Sequence, residues 1–310
     1  MSLPASVDYG GRRVLLKYHK LRSGALRHPP NSLSALEEVL AGGATALEFD
    51  AGLLADGNYA LLHDDRLERE TSGFGPLRRA AATDLARLRL RDADETPATL
   101  TEVTARLSRH QGHLKVQVDL KEAEPLSTAA ASSLLDALAP LLAATNLRVV
   151  VGCLADWNLR FLRRLAPDLP LGFDPAFHLH APTPGMRMPL PTRVNAYGYA
   201  DDHPLGFRRL MPIARYLEDR LDSLMQQVPG TVEVYLHKGF VTRALADGFD
   251  PIAFVHQHHP GILVDVWTLN DGDDNLQQDL PAALGAGADQ LTTDTALRLA
   301  PRIEALAAAA

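Results

Sequence analysis

The sequence predicts an α/β protein built as a single-domain (β/α)8 TIM barrel, and three observations carry that expectation. Short apolar runs of strand length recur along the 310 residues and alternate with amphipathic segments, the order expected of parallel βα units. No glycine-rich dinucleotide fingerprint follows the first strand, which favours a closed barrel over an open doubly wound sheet. No repeat of fixed period and no long Pro/Gly/Ser linker divides the chain, so one domain over residues 10–305 is expected.

The clearest strand candidates are Val14–Tyr18, Ala46–Asp50, Tyr59–Leu62, Leu114–Leu120, Leu147–Gly152, Val232–Leu236, Ile262–Leu269 and Gln290–Thr293, with Leu169–Phe173 and Val194–Tyr199 weaker. Helices are expected over Ser32–Leu40, Leu100–Ser108, Ala129–Ala143, Asn158–Leu165, Phe207–Gln227, Pro251–His258 and Leu276–Leu284. Ten strand candidates exceed the eight that a barrel needs, and a hairpin arm around the turn dipeptide Asp56-Gly57 accounts for part of the excess. The charged, weakly periodic stretch 65–98 reads as an insertion after the third strand, over one end of the barrel. The alanine-rich tail Leu306–Ala310 is expected to fray.

Composition narrows the function classes. A hydrophobic fraction of 46% supplies a large core, yet no run approaches the roughly 20 apolar residues of a membrane span. The first residues lack the basic region and apolar run of a secretory signal, so a cytoplasmic protein without stable membrane insertion is expected. A net charge of −7 argues against a nucleic-acid partner. Cys153 is the sole cysteine, which excludes an intramolecular disulfide and a cysteine-based zinc site. Nothing in the pattern sets an oligomeric state.

The chemistry lies where polar residues interrupt or end the apolar runs. The first run passes into His19-Lys20, and the second reads Ala46-Leu47-Glu48-Phe49-Asp50, with Glu48 and Asp50 on one strand face. Two carboxylates on one buried face repel unless a cation stands between them. The third run ends in His63-Asp64, and in the fourth Gln117, Asp119 and Lys121 share a face. In a parallel barrel such ends converge on the face that carries the active site. Glu48, Asp50 and Asp119 suit a hard divalent cation, Mg²⁺ or Ca²⁺. His19 and His63 suit acid–base work near neutral pH, and Lys20 and Lys121 add charge for an anion. Together these groups meet the needs of phosphoryl transfer at a small-molecule phosphodiester.

Other polar clusters have plainer readings. His256-Gln257-His258-His259 precedes Pro260-Gly261 and places basic side chains at a helix C-terminus. His178 and His180 follow a weak strand and could face the pocket, but two histidines without a carboxylate beside them make a structural role the expectation. Asp271–Asn275 is expected to cap the following helix, Cys153 to be a core residue, and Arg160, Arg163 and Arg164 to line a solvated helix face.

Several stretches carry a resemblance in chain order. They are His19-Lys20-Leu21, Pro29-Pro30-Asn31-Ser32, Glu48-Phe49-Asp50, Ala55-Asp56-Gly57, His63-Asp64, Leu67–Gly73, Trp267–Asp271 and Gly287–Asp294. In this the sequence resembles the glycerophosphodiester phosphodiesterase family from about His19 to Leu299. The resemblance implies a (β/α)8 barrel and a divalent ion held by Glu48, Asp50 and Asp119. It also implies His19 and His63 as the acid–base pair, Lys121 at the phosphate and Trp267 lining the pocket. The implied reaction, in lipid metabolism, turns a glycerophosphodiester into a phosphomonoester and an alcohol, through a cyclic phosphate formed by a neighbouring hydroxyl. Here Lys20 stands for the family arginine, Leu21 for glycine, Pro30 for glutamate and Asp119 for a glutamate ligand, and two extra residues precede Asn31. Asp119 is thereby shorter by roughly 1.5 Å of reach. Two alternative readings use the same residues: a related barrel lyase acting on a lipid head group, and a phosphodiester-binding relative with weakened turnover.

Overall fold

Most of the apolar runs line up side by side and in parallel. A computed structural model describes residues 2–25, 27–182 and 192–309. Its strands are β1 (Ser6–Tyr9), β2 (Arg12–Tyr18), β3 (Ala46–Leu53), β4 (Tyr59–Ala60), β5 (Leu114–Leu120), β6 (Leu147–Cys153), β7 (Leu171–Phe173), β8 (Thr231–His237), β9 (Leu263–Trp267) and β10 (Gln290–Thr293). Among the described residues, β2, β3, β5, β6, β7, β8, β9 and β10 pair in parallel, in that order, and the β10–β2 pairing closes the ring. The helices are α1 (Leu33–Ala41), α2 (Ala82–Leu85), α3 (Leu100–Leu107), α4 (Thr128–Leu142), α5 (Asp156–Leu165), α6 (Ile213–Met225), α7 (Lys238–Ala246), α8 (Pro251–His258), α9 (Leu276–Ala286) and α10 (Ala296–Ala309). This is the (β/α)8 barrel expected from the alternation of runs.

The differences have local causes. Tyr59–Leu62 is no barrel strand: Tyr59 and Ala60 pair antiparallel with Leu53 and Gly52, making the returning arm of the hairpin that turns at Asp56-Gly57. Gly57 sits there at φ +82°, a conformation only glycine adopts freely. Val194–Tyr199 forms no strand either. Asn195 Oδ1 accepts the amides of Tyr197 and Tyr199 at 2.9 and 3.1 Å, which bends the run into a turn. Its aromatic residues are buried by packing instead, with the Tyr197 and Tyr216 rings 4.2 Å apart. The helix expected over Phe207–Gln227 begins only at Ile213, after Pro212. The tail does not fray after Leu306, because α10 runs to Ala309. The N-terminal β1, antiparallel to β2 through Gly10-Gly11, is too short and polar to stand out in the sequence.

Strand β3 is buried on both faces, as a parallel strand between barrel interior and helices must be. The interior is polar as well as apolar. Lys17 pairs with Asp265 at 3.0 Å, and Lys115 with Glu233 at 2.5 Å and Gln290 at 2.7 Å. These buried ions are tolerable because each has a partner. Tyr235 lies against Gly152 and Gly172, where an added methyl would overlap its ring. Gly172→Ala is therefore expected to lower unfolding free energy by about 1–3 kcal/mol, read from a denaturant titration. Wild-type stability would show that the ring moves aside.

Residues 61–98, between β4 and α3, gather their own small apolar cluster around Leu62, Leu67, Leu77, Leu85 and Leu90. A capping box at Thr99 and Glu102 then starts α3.

Candidate active site at the barrel mouth

The polar ends of β2, β3 and β5 meet at one mouth of the barrel. Parallel register sets Glu48 beside Gln117 and Asp50 beside Asp119. As a result Glu48, Asp50 and Asp119 offer ligand oxygens that all lie within 4.8 Å of one another. The shorter Asp119 side chain still reaches the cluster. Lys121 Nζ sits 3.0 Å from Asp50 Oδ1 and 2.5 Å from Asp119 Oδ2. Three carboxylates and one ammonium leave two formal negative charges, which one divalent cation neutralises.

The electrostatics differ across the cluster. Burial, then the neighbouring Asp50 and Asp119 charges, push the Glu48 carboxyl well above its usual range. Asp50 goes the other way: burial opposes ionisation, but Lys121, His63, Lys20 and His19 outweigh it and hold the carboxylate ionised. Burial disfavours charge on Lys121, yet Asp119, Asp50 and Glu48 overcome that and keep it cationic. Glu48 Oε1 is buried without a hydrogen-bond partner, which a metal–oxygen bond would remedy. Oxygen donors at this separation, with excess negative charge and one unpaired buried oxygen, fit a hard divalent ion.

The loop after β2 is shaped by this cluster. The Lys20 amide donates to Glu48 Oε2 at 2.7 Å, and the Lys20 carbonyl accepts the Asn31 amide at 2.9 Å. The Lys20 ammonium pairs with no carboxylate among the described residues. Lys20, Leu21 and Asn31 all adopt left-handed φ values, of 51°, 61° and 55°. Leu21 thus occupies a conformation suited to glycine, with a strain of order 1–3 kcal/mol. Asn31 tolerates that region and clamps Asp50: its Nδ2 donates to Oδ2 at 2.6 Å, while Oδ1 accepts the Asp50 amide at 3.2 Å.

His19 is held from behind. Its Nδ1 lies 3.0 Å from Asp294 Oδ1, and its Nε2 lies 4.0 Å from Glu48 Oε2. Asn270 fixes Asp294, its Nδ2 donating to Oδ2 and its Oδ1 accepting the Asp294 amide, both at 2.8 Å. Burial would raise the Asp294 carboxyl, but the His19 hydrogen bond and charge, with Arg22, hold it below its usual range. An ionised Asp294 accepts the Nδ1 proton of His19 and leaves Nε2 turned toward the carboxylates. Burial lowers the His19 pKa, and Asp294 only partly offsets it.

His63 lies beyond the hairpin arm, on the segment leading away from β4, with Nδ1 3.6 Å from Asp64 Oδ1. Glu70 Oε2 accepts the Asp64 amide at 2.8 Å and steadies this turn. Trp267 ends β9, its ring 4.9 Å from that of His237 at the end of β8. The mouth therefore gathers His19, Lys20, Glu48, Asp50, Asp119 and Lys121 tightly, with His63 near Asp50 and Trp267 on the opposite strands. Asp294, Asn270, Asn31 and Glu70 had no role assignable from the sequence. All four lie in the stretches that carry the family resemblance, but only the folded chain shows what they hold.

The remaining clusters resolve into structural pairs. His256 pairs with Asp289 at 2.9 Å, His259 with Asp222 at 3.5 Å, and His258 meets the Phe254 carbonyl. His178 does have a carboxylate partner, Asp156 at 3.2 Å, brought from α5. The capping role expected of Asp271–Asn275 is not made by Asn275, whose side chain forms no cap bond. Asp273 instead accepts the Asn270 amide and pairs with Lys238, while Asp271 pairs with Arg298 and Arg302. Cys153 is buried in the core.

The glycerophosphoryl diester phosphodiesterase family model matches residues 22–297. The chain belongs to this family. Glycerophosphodiester phosphodiesterase 1 from Mus musculus is 32% identical over 117 residues, covering 35% of this chain and 35% of that protein. The match thus spans about a third of the length of that curated relative. A phosphodiesterase from Oleispira antarctica, solved in complex with the product sn-glycerol-3-phosphate, has the same fold. Its TM-score is 0.62 at 19% identity, over 93% of this chain and 96% of that one. A glycerophosphoryl diester phosphodiesterase from Parabacteroides distasonis gives 0.60 at 17% identity, over 99% and 94%. Both likenesses show the fold, and each covers more than nine-tenths of this chain. No helix among the described residues is long and apolar enough to cross a membrane.

Proposed function

We propose that this chain hydrolyses a glycerophosphodiester-like diester to a phosphomonoester and an alcohol, with Mg²⁺ or Ca²⁺ bound by Glu48, Asp50 and Asp119. The observation that carries the reading is His19, pinned through Nδ1 to Asp294 with Nε2 aimed at the buried carboxylate cluster. Family membership supports the reaction class. The product held by the Oleispira antarctica relative supports a small-molecule ligand, and the single buried cysteine is compatible with a reducing cytoplasm.

A bound cation would supply charge for the non-bridging phosphoryl oxygens. Lys121, kept cationic by its carboxylate neighbours, and Lys20, with its uncommitted ammonium, add to that charge at the diester. Neutral His19 takes the proton from the attacking hydroxyl at Nε2, and Asp294 stabilises the imidazolium that results. His63, on the more exposed side, donates to the leaving oxygen. A neighbouring hydroxyl of the substrate attacks first, giving a cyclic phosphate that water opens with the proton roles reversed. Trp267 closes the opposite wall against the alcohol arm.

Phosphorus NMR of a glycerophosphodiester incubated with the protein and cation tests this reading. An accumulating phosphomonoester is expected. A stable cyclic phosphate would mean a lyase, and unchanged diester with a raised melting temperature would mean a binding protein without turnover.

The pH profile follows from His19. Burial lowers its pKa from the ordinary 6.5, so the neutral base persists below that pH. The acid limb of kcat/KM is expected below about pH 6.5. A limb above neutrality would show that His19 is not the base.

A further inference from the structure

Between β7 and α6 runs a long connection whose residues 193–210 pack against α6 and α7, through Arg220–Asp201 and Tyr199–Asp247. Three large apolar side chains there stand in solvent: Phe207 is 71% exposed, Val194 65% and Leu210 47%. Scattered apolar side chains are ordinary on a surface, but a grouped set is not. Hydrogen bonds bring together the two stretches that carry them. The Ala196 amide donates to the Gly206 carbonyl at 2.9 Å, Arg209 Nε to the Ala196 carbonyl at 3.1 Å, and the Leu210 amide to Tyr197 Oη at 3.0 Å. Beneath them Tyr197 stacks on Tyr216, which donates to buried Asp201, so the patch has a packed floor.

The charge of the patch is as distinctive as its exposure. Arg193, Arg208 and Arg209 are exposed around it, and none pairs with a carboxylate among the described residues. The Arg208 guanidinium lies 5.3 Å from the Phe207 ring centre. The chain as a whole carries −7, whereas within 193–210 three exposed arginines stand against one exposed carboxylate, Asp202. Aromatic and aliphatic side chains ringed by arginine match an anionic lipid surface, where the apolar groups enter the head-group layer and the arginines meet phosphate.

We propose that residues 193–210 form a docking surface for an anionic bilayer. The contact is peripheral, with Phe207, Val194 and Leu210 as the inserting groups and Arg193, Arg208 and Arg209 as the electrostatic ones. It rests on exposure and charge alone, so it stands or falls separately from the hydrolytic reading.

Co-sedimentation of the full chain with vesicles tests it. Vesicles of phosphatidylcholine containing about a third phosphatidylglycerol are expected to bind the protein, with binding that weakens as salt rises, while pure phosphatidylcholine binds little. Arg193→Gln combined with Arg208→Gln should lower partitioning roughly thirtyfold, at about 1 kcal/mol of surface attraction per arginine. Phe207→Ser should also weaken binding. These side chains are exposed, so each variant should keep the wild-type melting temperature and the wild-type activity on a soluble diester. The proposal is overturned if the wild type ignores the anionic vesicles, binds both kinds equally, or is matched by the variants. It is equally overturned if sedimentation shows a dimer that Phe207→Ser dissolves with no change in vesicle binding, which would assign the face to a second copy of the chain.

Discussion

His19→Ala is expected to reduce kcat for a glycerophosphodiester by about 10²–10⁴-fold, the usual worth of a positioned acid–base group. Folding should survive, because His19 lies at the mouth rather than in the apolar core, with one-fifth of its side chain exposed. The informative companion is Asp294→Asn. Asparagine keeps the shape but no longer demands the proton on Nδ1, so His19 can present the wrong nitrogen to the substrate. A smaller loss in kcat is expected, with KM little changed. His63→Ala should give a loss comparable to that of His19→Ala, since the pair divides the proton transfers between attacking and leaving oxygens. Full turnover by His19→Ala would remove the acid–base assignment, whatever happened to the metal.

The second large effect concerns Glu48. In the metal-free protein its carboxyl is raised by burial and by Asp50 and Asp119, so a neutral side chain is favoured there. Glu48→Gln should therefore leave metal-free stability unchanged or slightly higher, by removing repulsion within the cluster. The same change removes a charged ligand and should weaken divalent-ion binding at least about a hundredfold, more than loss of a supporting residue does. Calorimetric titration with Mg²⁺ or Ca²⁺ reads this directly. Because binding requires the Glu48 proton to leave, wild-type affinity should rise with pH above the ordinary carboxylate range. An affinity insensitive to Glu48→Gln would place the ion elsewhere.

These effects trace back to features of unequal visibility in the sequence. Glu48, Asp50 and Asp119 stand out because a charge inside an apolar run is costly and calls for a reason. Period-two alternation then puts Glu48 and Asp50 on one face without any structure. The barrel follows from the order of runs, although Tyr59–Leu62 and Val194–Tyr199 look like strands on composition alone. What separates them from true strands is non-local or conformational: an antiparallel partner at Gly52-Leu53 for one, and the Asn195 turn for the other. The support for the site is less legible. Asp294 reaches His19 across 275 positions, and Asn31 meets Asp50 across a loop whose left-handed residues include a leucine. No local pattern encodes those contacts, because the ring closure between β10 and β2 creates the first and the folded loop creates the second. The exposed patch at Val194, Phe207 and Leu210 is hidden for the opposite reason. In sequence its apolar residues read as strand and helix, and only their exposure sets them apart.

The central claim is that the Glu48, Asp50 and Asp119 cluster holds a divalent ion that the His19 chemistry requires. Hydrolysis of a glycerophosphodiester by protein stripped with a chelator, measured before and after adding back Mg²⁺ or Ca²⁺, tests it most directly. The expected result is silence in chelator and recovery with one of the two ions, in proportion to the ion bound. Undiminished hydrolysis by the stripped protein would contradict the claim.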